Sequence, residues 1–179
     1  TAGMRARCLS SLIAFDWKMT MAGFMATRRA WMLACWLGLA AVGCSSAPKV
    51  LPTVVVGAIE ASAQLNPTAG KRPSPIQLRI YELKSAAAFG SADFMSLFQG
   101  DQATLGAEMV GREELTLKPG ETRPFNKTLS PETRFIGVVA VYRDLERATW
   151  RTLVPVQTGR SQKLTVRAGE LAVTATMAP

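Results

Sequence analysis

The chain has no histidine, and none of its three cysteines lies beyond position 44. Without histidine there is no imidazole base, no Ser-His or Cys-His nucleophile pair and no imidazole metal ligand. Without cysteine after residue 44 there is no disulfide or thiolate zinc site downstream of it. Acidic side chains are also scarce, 13 against 21 lysines and arginines, for a net charge of +8. That excess is unevenly placed. Residues 1–43 hold Arg5, Arg7, Lys18, Arg28 and Arg29 against Asp16 alone. Setting these five bases and one acid aside leaves 16 against 12, or +4, for residues 44–179. A nucleic-acid partner, which calls for a clustered basic face, loses its support. Close acidic pairs are few. Glu113-Glu114 lies in an expected strand, where neighbours point to opposite faces. Asp144-x-Glu146 lies in an expected polar turn. Neither forms a catalytic constellation. We expect no enzyme activity, metal, cofactor or small-molecule substrate.

What the chain does have is an address. Arg28-Arg29 is followed by an apolar run from Ala30 to Val42 and then by Gly43-Cys44-Ser45-Ser46. A charged start, a short apolar stretch and small residues at the cut define a signal peptide. About 13 apolar residues fall short of the roughly 20 that span a bilayer as a helix, which argues against a transmembrane anchor. Ala41-Val42-Gly43-Cys44 resembles a lipobox, with alanine where leucine is usual. The competing interpretation is an ordinary secretory signal with a chance cysteine. We expect Cys44 to be acylated and to begin the mature chain. Ser45 and Ser46 resemble the residues that sort lipoproteins to the outer membrane, and the aspartate of inner-membrane retention is absent. Residues 1–24 are expected to be an over-extended start, with Met21 or Met25 the true one, residues 25–43 the signal peptide and residues 44–49 a lipidated tether.

From residue 50 to 179 the pattern is that of one mainly β domain. Val50 to Ser62 is β-branched and reads as a strand. Ile76-Gln-Leu-Arg-Ile-Tyr-Glu-Leu83 alternates apolar and polar, the signature of a half-buried strand. Between them Gln64 to Pro75 carries Asn66, Pro67, Thr68, Gly70, Lys71, Arg72 and Pro73, a composition that excludes regular structure. From about residue 85 to 110 the period changes. Phe89, Phe94, Leu97, Phe98, Leu105 and Met109 recur at helical steps, with Ser91 and Asp101 as candidate caps.

Glu113 to Leu117 and Thr122 to Leu129 are strands around Lys118-Pro-Gly-Glu121, a type II turn sequence. Phe135 to Tyr142 is apolar at nearly every position and must be covered on both faces, one of them by the helical insertion. Thr149 to Val156, Gln162 to Val166 and Leu171 to Met177 complete seven or eight strands. The expected fold is an antiparallel β-sandwich with a small helical insertion between strands 2 and 3. Tyr81, Phe94, Tyr142 and Trp150 are expected to be core aromatics, and Arg151 to pair with Asp144 or Glu146.

Taken in order, the lipobox, the proline-rich loop, Ile80-Tyr-Glu-Leu-Lys84, Phe89, Ala92-Asp-Phe94, Leu115, Pro119-Gly120, Ile136-Gly-Val-Val-Ala-Val-Tyr-Arg-Asp144 and Trp150-Arg151 resemble the TssJ family. These are the outer-membrane lipoproteins of the bacterial type VI secretion system. The resemblance covers nearly all of residues 44–179. It implies a transthyretin-like sandwich with added helices, held by acyl chains on Cys44 in the outer membrane and facing the periplasm. It implies a partner, the periplasmic domain of the inner-membrane protein TssM. It also implies that the loop between the first two strands, here Gln64 to Pro75, contributes to that contact. The alternative is a sandwich lipoprotein that binds a soluble ligand or enzyme, in the manner of a lysozyme inhibitor. A carboxylate-dependent hydrolase built on Asp144 and Glu146 is a third possibility without positive support.

Overall fold

The computed structural model describes residues 51–179. Eight strands form two four-stranded sheets. The first sheet has the order β4 (Thr122–Leu129), β1 (Thr53–Ala61), β7 (Ser161–Ala168), β8 (Val173–Ala178). The second has the order β3 (Met109–Leu117), β2 (Ile76–Leu83), β5 (Phe135–Ala140), β6 (Arg151–Pro155). Every pairing is antiparallel except β1 with β7, which run parallel. The expected sandwich is therefore present, with one departure from antiparallel pairing. It arises because β1 is a central strand of its sheet, and the chain returns to its open side only after crossing to the other sheet and back.

Alternation explains the main core. Val55 and Ile59 of β1, Ile76, Leu78 and Ile80 of β2, and Leu164 and Val166 of β7 point between the sheets and are buried. β7 reads exposed-buried along most of its length, as a strand with one wet face should. Lys127 closes one open edge. Its ammonium lies 2.8 Å from Glu82 and 3.7 Å from Glu113, linking the edge strand of the first sheet to the second.

The second sheet also has an outer core. Between β2 and β3 the chain forms α1 (Ala87–Ser91), α2 (Phe94–Leu105) and a 3₁₀ turn (Gly106–Glu108). Phe89, Leu97 and Leu105 pack on Tyr81, Leu83 and Val139. This is why β5 is apolar throughout: one face meets the first sheet and the other meets the helices. The cap of α2 is Asp93, whose carboxylate accepts from Ser96 N at 3.0 Å, and not Ser91. Ser91 ends α1 and donates back to Ala87 O at 3.0 Å. Asp101 follows a break at Gly100 (φ −140°, ψ 43°) inside α2.

Arginines fasten the insertion to the sheet. Arg79, on the outer face of β2, donates to Phe98 O at 2.7 Å and to Glu114 at 2.9 Å. Arg151, on β6, donates to Phe89 O at 3.0 Å and Ala92 O at 2.7 Å, and lies 4.9 Å from the Trp150 ring centre. It thus serves the carbonyls at the end of α1. The expected pairing with Asp144 or Glu146 does not occur. Asp144 instead binds Arg147, at 2.6 Å from its Nε. Of the four expected core aromatics, Tyr81 and Tyr142 are fully buried, whereas Phe94 and Trp150 are half-buried and meet edge to face at 5.3 Å.

Two buried carboxylates sit in this framework. Burial pushes the Glu82 carboxyl up, but bonds from Lys127, Thr133 Oγ1 and Ser130 N outweigh it and leave the group below its usual range. Burial likewise raises Asp101, and Arg112 at 2.6 Å with Tyr81 at 3.1 Å more than offset it. Tyr81 itself is pushed up to about 12, chiefly by burial. A folded-state pKa below the unfolded value means that stability is complete above the unfolded pKa and is lost as pH falls through the folded one. With unfolded values near 4.5 for Glu and 3.8 for Asp, urea midpoints should hold steady from pH 7 to about 5 and fall progressively below it. Glu82→Gln should lower the midpoint at pH 7 and flatten the acid slope. An unchanged acid slope in that variant would remove Glu82 from the account.

Candidate functional site

One end of the sandwich gathers three connections. The loop from β1 to β2 (62–75) lies beside the β5–β6 connection (141–150) and the β7–β8 turn (169–172). Between them is an open cleft of about 710 Å³, lined by Pro67, Thr68, Lys71, Arg143, Asp144, Glu146, Arg147, Glu170 and Leu171 among others. Its walls carry both signs of charge.

The loop is a built structure, although its composition excludes helix and strand. Leu65 is inserted in the main core. Asn66 is buried and adopts φ 44°, the left-handed region that asparagine tolerates better than most residues. Its amide nitrogen donates to Pro75 O at 2.9 Å, and its Oδ1 accepts from Arg143 N at 2.9 Å. Asn66 N donates to Glu170 O at 3.2 Å, and Ser74 Oγ donates to Asn66 O. Arg143 Nε reaches Ser74 Oγ at 3.1 Å. One residue, through its side chain and its backbone N–H, thus ties both ends of the loop to the other two connections. Above this base the tip closes on itself. Thr68 N donates to Arg72 O at 2.9 Å and Lys71 N to Thr68 O at 2.8 Å, with Lys71 at φ 58°.

The expected loop residues therefore divide. Gln64, Gly70, Lys71, Arg72, Pro73 and Pro75 are exposed, and Pro67 and Thr68 are half-buried at the cleft. Asn66 is buried with its polar groups engaged inside the chain, so it shapes the loop and is not available to a partner. Cys44, Ser45 and Ser46 lie outside the described residues. The cleft's other wall, at 143–147 and 170–171, was not expected from sequence as part of the site. Glu146 is exposed there, and the Asp144–Arg147 pair lies at the surface, where an ion pair of this kind adds little stability. Among the described residues, no group of three or more acidic side chains is placed to hold a metal ion.

Two four-stranded sheets, one plated with helices, and a loop held over an open, mixed-charge cleft at one end define a β-sandwich with an outer helical layer. The chain belongs to the type VI secretion lipoprotein family described as VasD, EvfM and TssJ, whose family model matches residues 53–171. Its fold is shared with the type VI lipoprotein TssJ1 of Pseudomonas aeruginosa, at 43% identity over 72% of this chain and 98% of that one, with a TM-score of 0.69. Lip of Serratia marcescens, a membrane-bound component of the type VI secretion system, matches at 28% identity over 70% and 97% of the two chains, with a TM-score of 0.65. A chain of a type VI membrane complex matches at 25% identity over 70% and 98%, with a TM-score of 0.59. No curated protein matches the chain.

Proposed function

We propose that this lipoprotein is a non-enzymatic anchor of the type VI membrane complex. Acyl chains on Cys44 hold it in the outer membrane, facing the periplasm, and the end bearing loop 64–75 docks the periplasmic part of the inner-membrane protein TssM. The observation that carries this is the loop itself. Its exposed tip is held over the cleft by the buried Leu65, Asn66 and Ser74, so little ordering entropy is lost when a partner binds. Family membership supports the setting, as does the related chain found in a type VI membrane complex. Lys71 and Arg72 at the tip favour an acidic partner surface and act mainly on the association rate. Two or three acyl chains would make the anchor durable, since one chain holds only reversibly.

The test is a binding titration between residues 45–179 and the periplasmic region of TssM. Replacing residues 67–73 with a glycine-serine linker while keeping Leu65, Asn66 and Ser74 should weaken binding at least tenfold with the thermal midpoint retained. Unchanged binding would move the contact off this loop. In cells, Cys44→Ser should release the protein from the outer membrane and stop secretion. Continued outer-membrane retention and secretion would refute the anchoring role.

A further inference from the structure

The opposite end of the sandwich has its own character. β1 begins there, and its neighbours place the end of β4 and the start of β7 alongside it, at Thr53↔Leu129 and Val54↔Ser161. Loop 130–134 crosses from one sheet to the other at this end, with Arg134 N donating to Leu83 O at 2.8 Å. Leu51 is 60% exposed, the most open of the large apolar side chains among the described residues. With Pro52, Leu129 and Pro131 it lines an open apolar hollow of about 530 Å³. Arg134 lines the hollow, and Arg160 directly follows Gly159 of its rim. Arg134 is exposed and is steadied by Pro131 O at 2.6 Å and Thr133 O at 3.1 Å, and Arg160 is exposed beside Gln157. Neither has a carboxylate partner among the described residues. Glu132, in the same loop as Arg134, is bound by Lys84 at 2.7 Å, and Glu108, further round on the helical side, faces Ala88 N.

We propose that this end is a membrane-facing surface that rests on anionic phospholipid headgroups, with Leu51 and the proline edges entering the interface and Arg134 and Arg160 meeting phosphates. The proposal rests on acylation at Cys44. Leu51 lies seven positions after Cys44, and a fully extended chain covers ~3.3–3.6 Å per residue. The first strand is thus held within about 25 Å of the bilayer. The surface nearest the lipid therefore combines apolar tips with two arginines that form no ion pair among the described residues, the pairing that binds an anionic interface. Its consequence is orientation. The nine residues of β1, at about 3.3 Å each, carry the chain roughly 30 Å from this surface to the loop at the other end. A sandwich seated this way presents loop 64–75 away from the membrane.

The test uses residues 45–179, which lack the acylated cysteine. The sandwich closes its core within this span, and a solved relative of about that extent folds by itself. Partitioning is measured on vesicles of phosphatidylglycerol and phosphatidylethanolamine and on vesicles of phosphatidylcholine. Binding should favour the anionic vesicles and weaken with added salt. It should fall roughly fivefold for each of Arg134→Gln and Arg160→Gln, and fall again with Leu51→Ser. The Lys118→Gln variant, altered in the β3–β4 turn at the far end, should bind as the parent does. Equal thermal midpoints across the set exclude unfolding as the cause. Absent binding, equal binding to both vesicle types, or binding that survives the double arginine replacement would each overturn the proposal. So would binding that arises only after deletion of residues 45–50, because the hollow would then belong to the tether. Labelling of Cys44 with radioactive palmitate tests acylation separately, so failure of the surface and failure of the anchor are told apart.

Discussion

Gly57→Ala is expected to abolish the native fold. Gly57 sits in the middle of β1, opposite Phe125 of β4 and Leu164 of β7. A Cβ added there would lie 1.7 Å from the Leu164 carbonyl oxygen and 2.7 Å from its carbon. No rotamer relieves this, because both atoms belong to backbone. Relief requires β1 and β7 to separate, which breaks the one parallel strand pairing among the described residues at its centre. The expected cost is about 3 kcal/mol or more, the upper end of overpacking penalties, and the entropy that glycine costs in a strand does not compensate it. Gly90→Ala is the control. Gly90 lies in α1 with nothing within 4 Å of its added Cβ, so that change should be neutral or stabilising by up to ~1 kcal/mol. Urea denaturation of the two variants should separate them clearly. A native-like midpoint for Gly57→Ala would mean that the β1–β7 register is not the one described.

The second large effect is expected at Phe89. Phe89 is 1% exposed, its ring packs 5.8 Å from the Tyr81 ring, and the tip of the ring reaches Gly137 of β5. Phe89→Ala should cost about 3–5 kcal/mol, the range for emptying a buried aromatic site. The partner glycine supplies a sharper measurement. The three atoms nearest to a Cβ on Gly137 are all in the Phe89 ring, at 2.8 to 3.0 Å. Gly137→Ala alone should therefore destabilise, by about 1–3 kcal/mol. In the Phe89→Ala background the same change should be neutral or stabilising, because the obstructing ring is gone. The two effects must be non-additive by roughly 1 kcal/mol or more, as expected for residues in contact. Strict additivity in the double-mutant cycle would detach α1 from β5.

Much of the framework was legible from residue order. The alternation of Ile76 to Leu83 marks a strand with one face in the main core, and the structure places that strand at the stated residues. The unbroken apolar run in β5 demands cover on both faces, and the helical insertion supplies the outer one. Pro119-Gly120 makes the expected turn, with Gly120 at φ 75° and Glu121 N donating to Lys118 O at 3.0 Å. Loop 64–75 was recognisable by its prolines, but its internal logic was not. Asn66 reads as one more turn-forming residue until Arg143, 77 positions away, arrives to bind its side-chain oxygen. The cleft was hidden for the same reason, since residues 143–147 and 170–171 meet the loop only after the sheets have closed. Arg79 reads as part of the polar face of its strand, and Arg151 as a partner for Asp144 or Glu146. They became helix fasteners because the insertion folded back over that face.

The sequence by itself determined the local quantities: which stretches are strand, which is helical, where the turns lie, which face of each strand is apolar, and that no histidine or late cysteine is available for chemistry. Each depends on neighbours within a few residues, through backbone sterics and the periods of two and 3.6. Only the tertiary structure decided the parallel partner of β1, the ring against Gly137, the buried hub at Asn66 and the two contrasting ends of the sandwich. These are contacts between residues far apart in the chain. Their partners are selected by shape, burial and hydrogen-bond satisfaction after the sheets pack, and none of those has a short-range period to read.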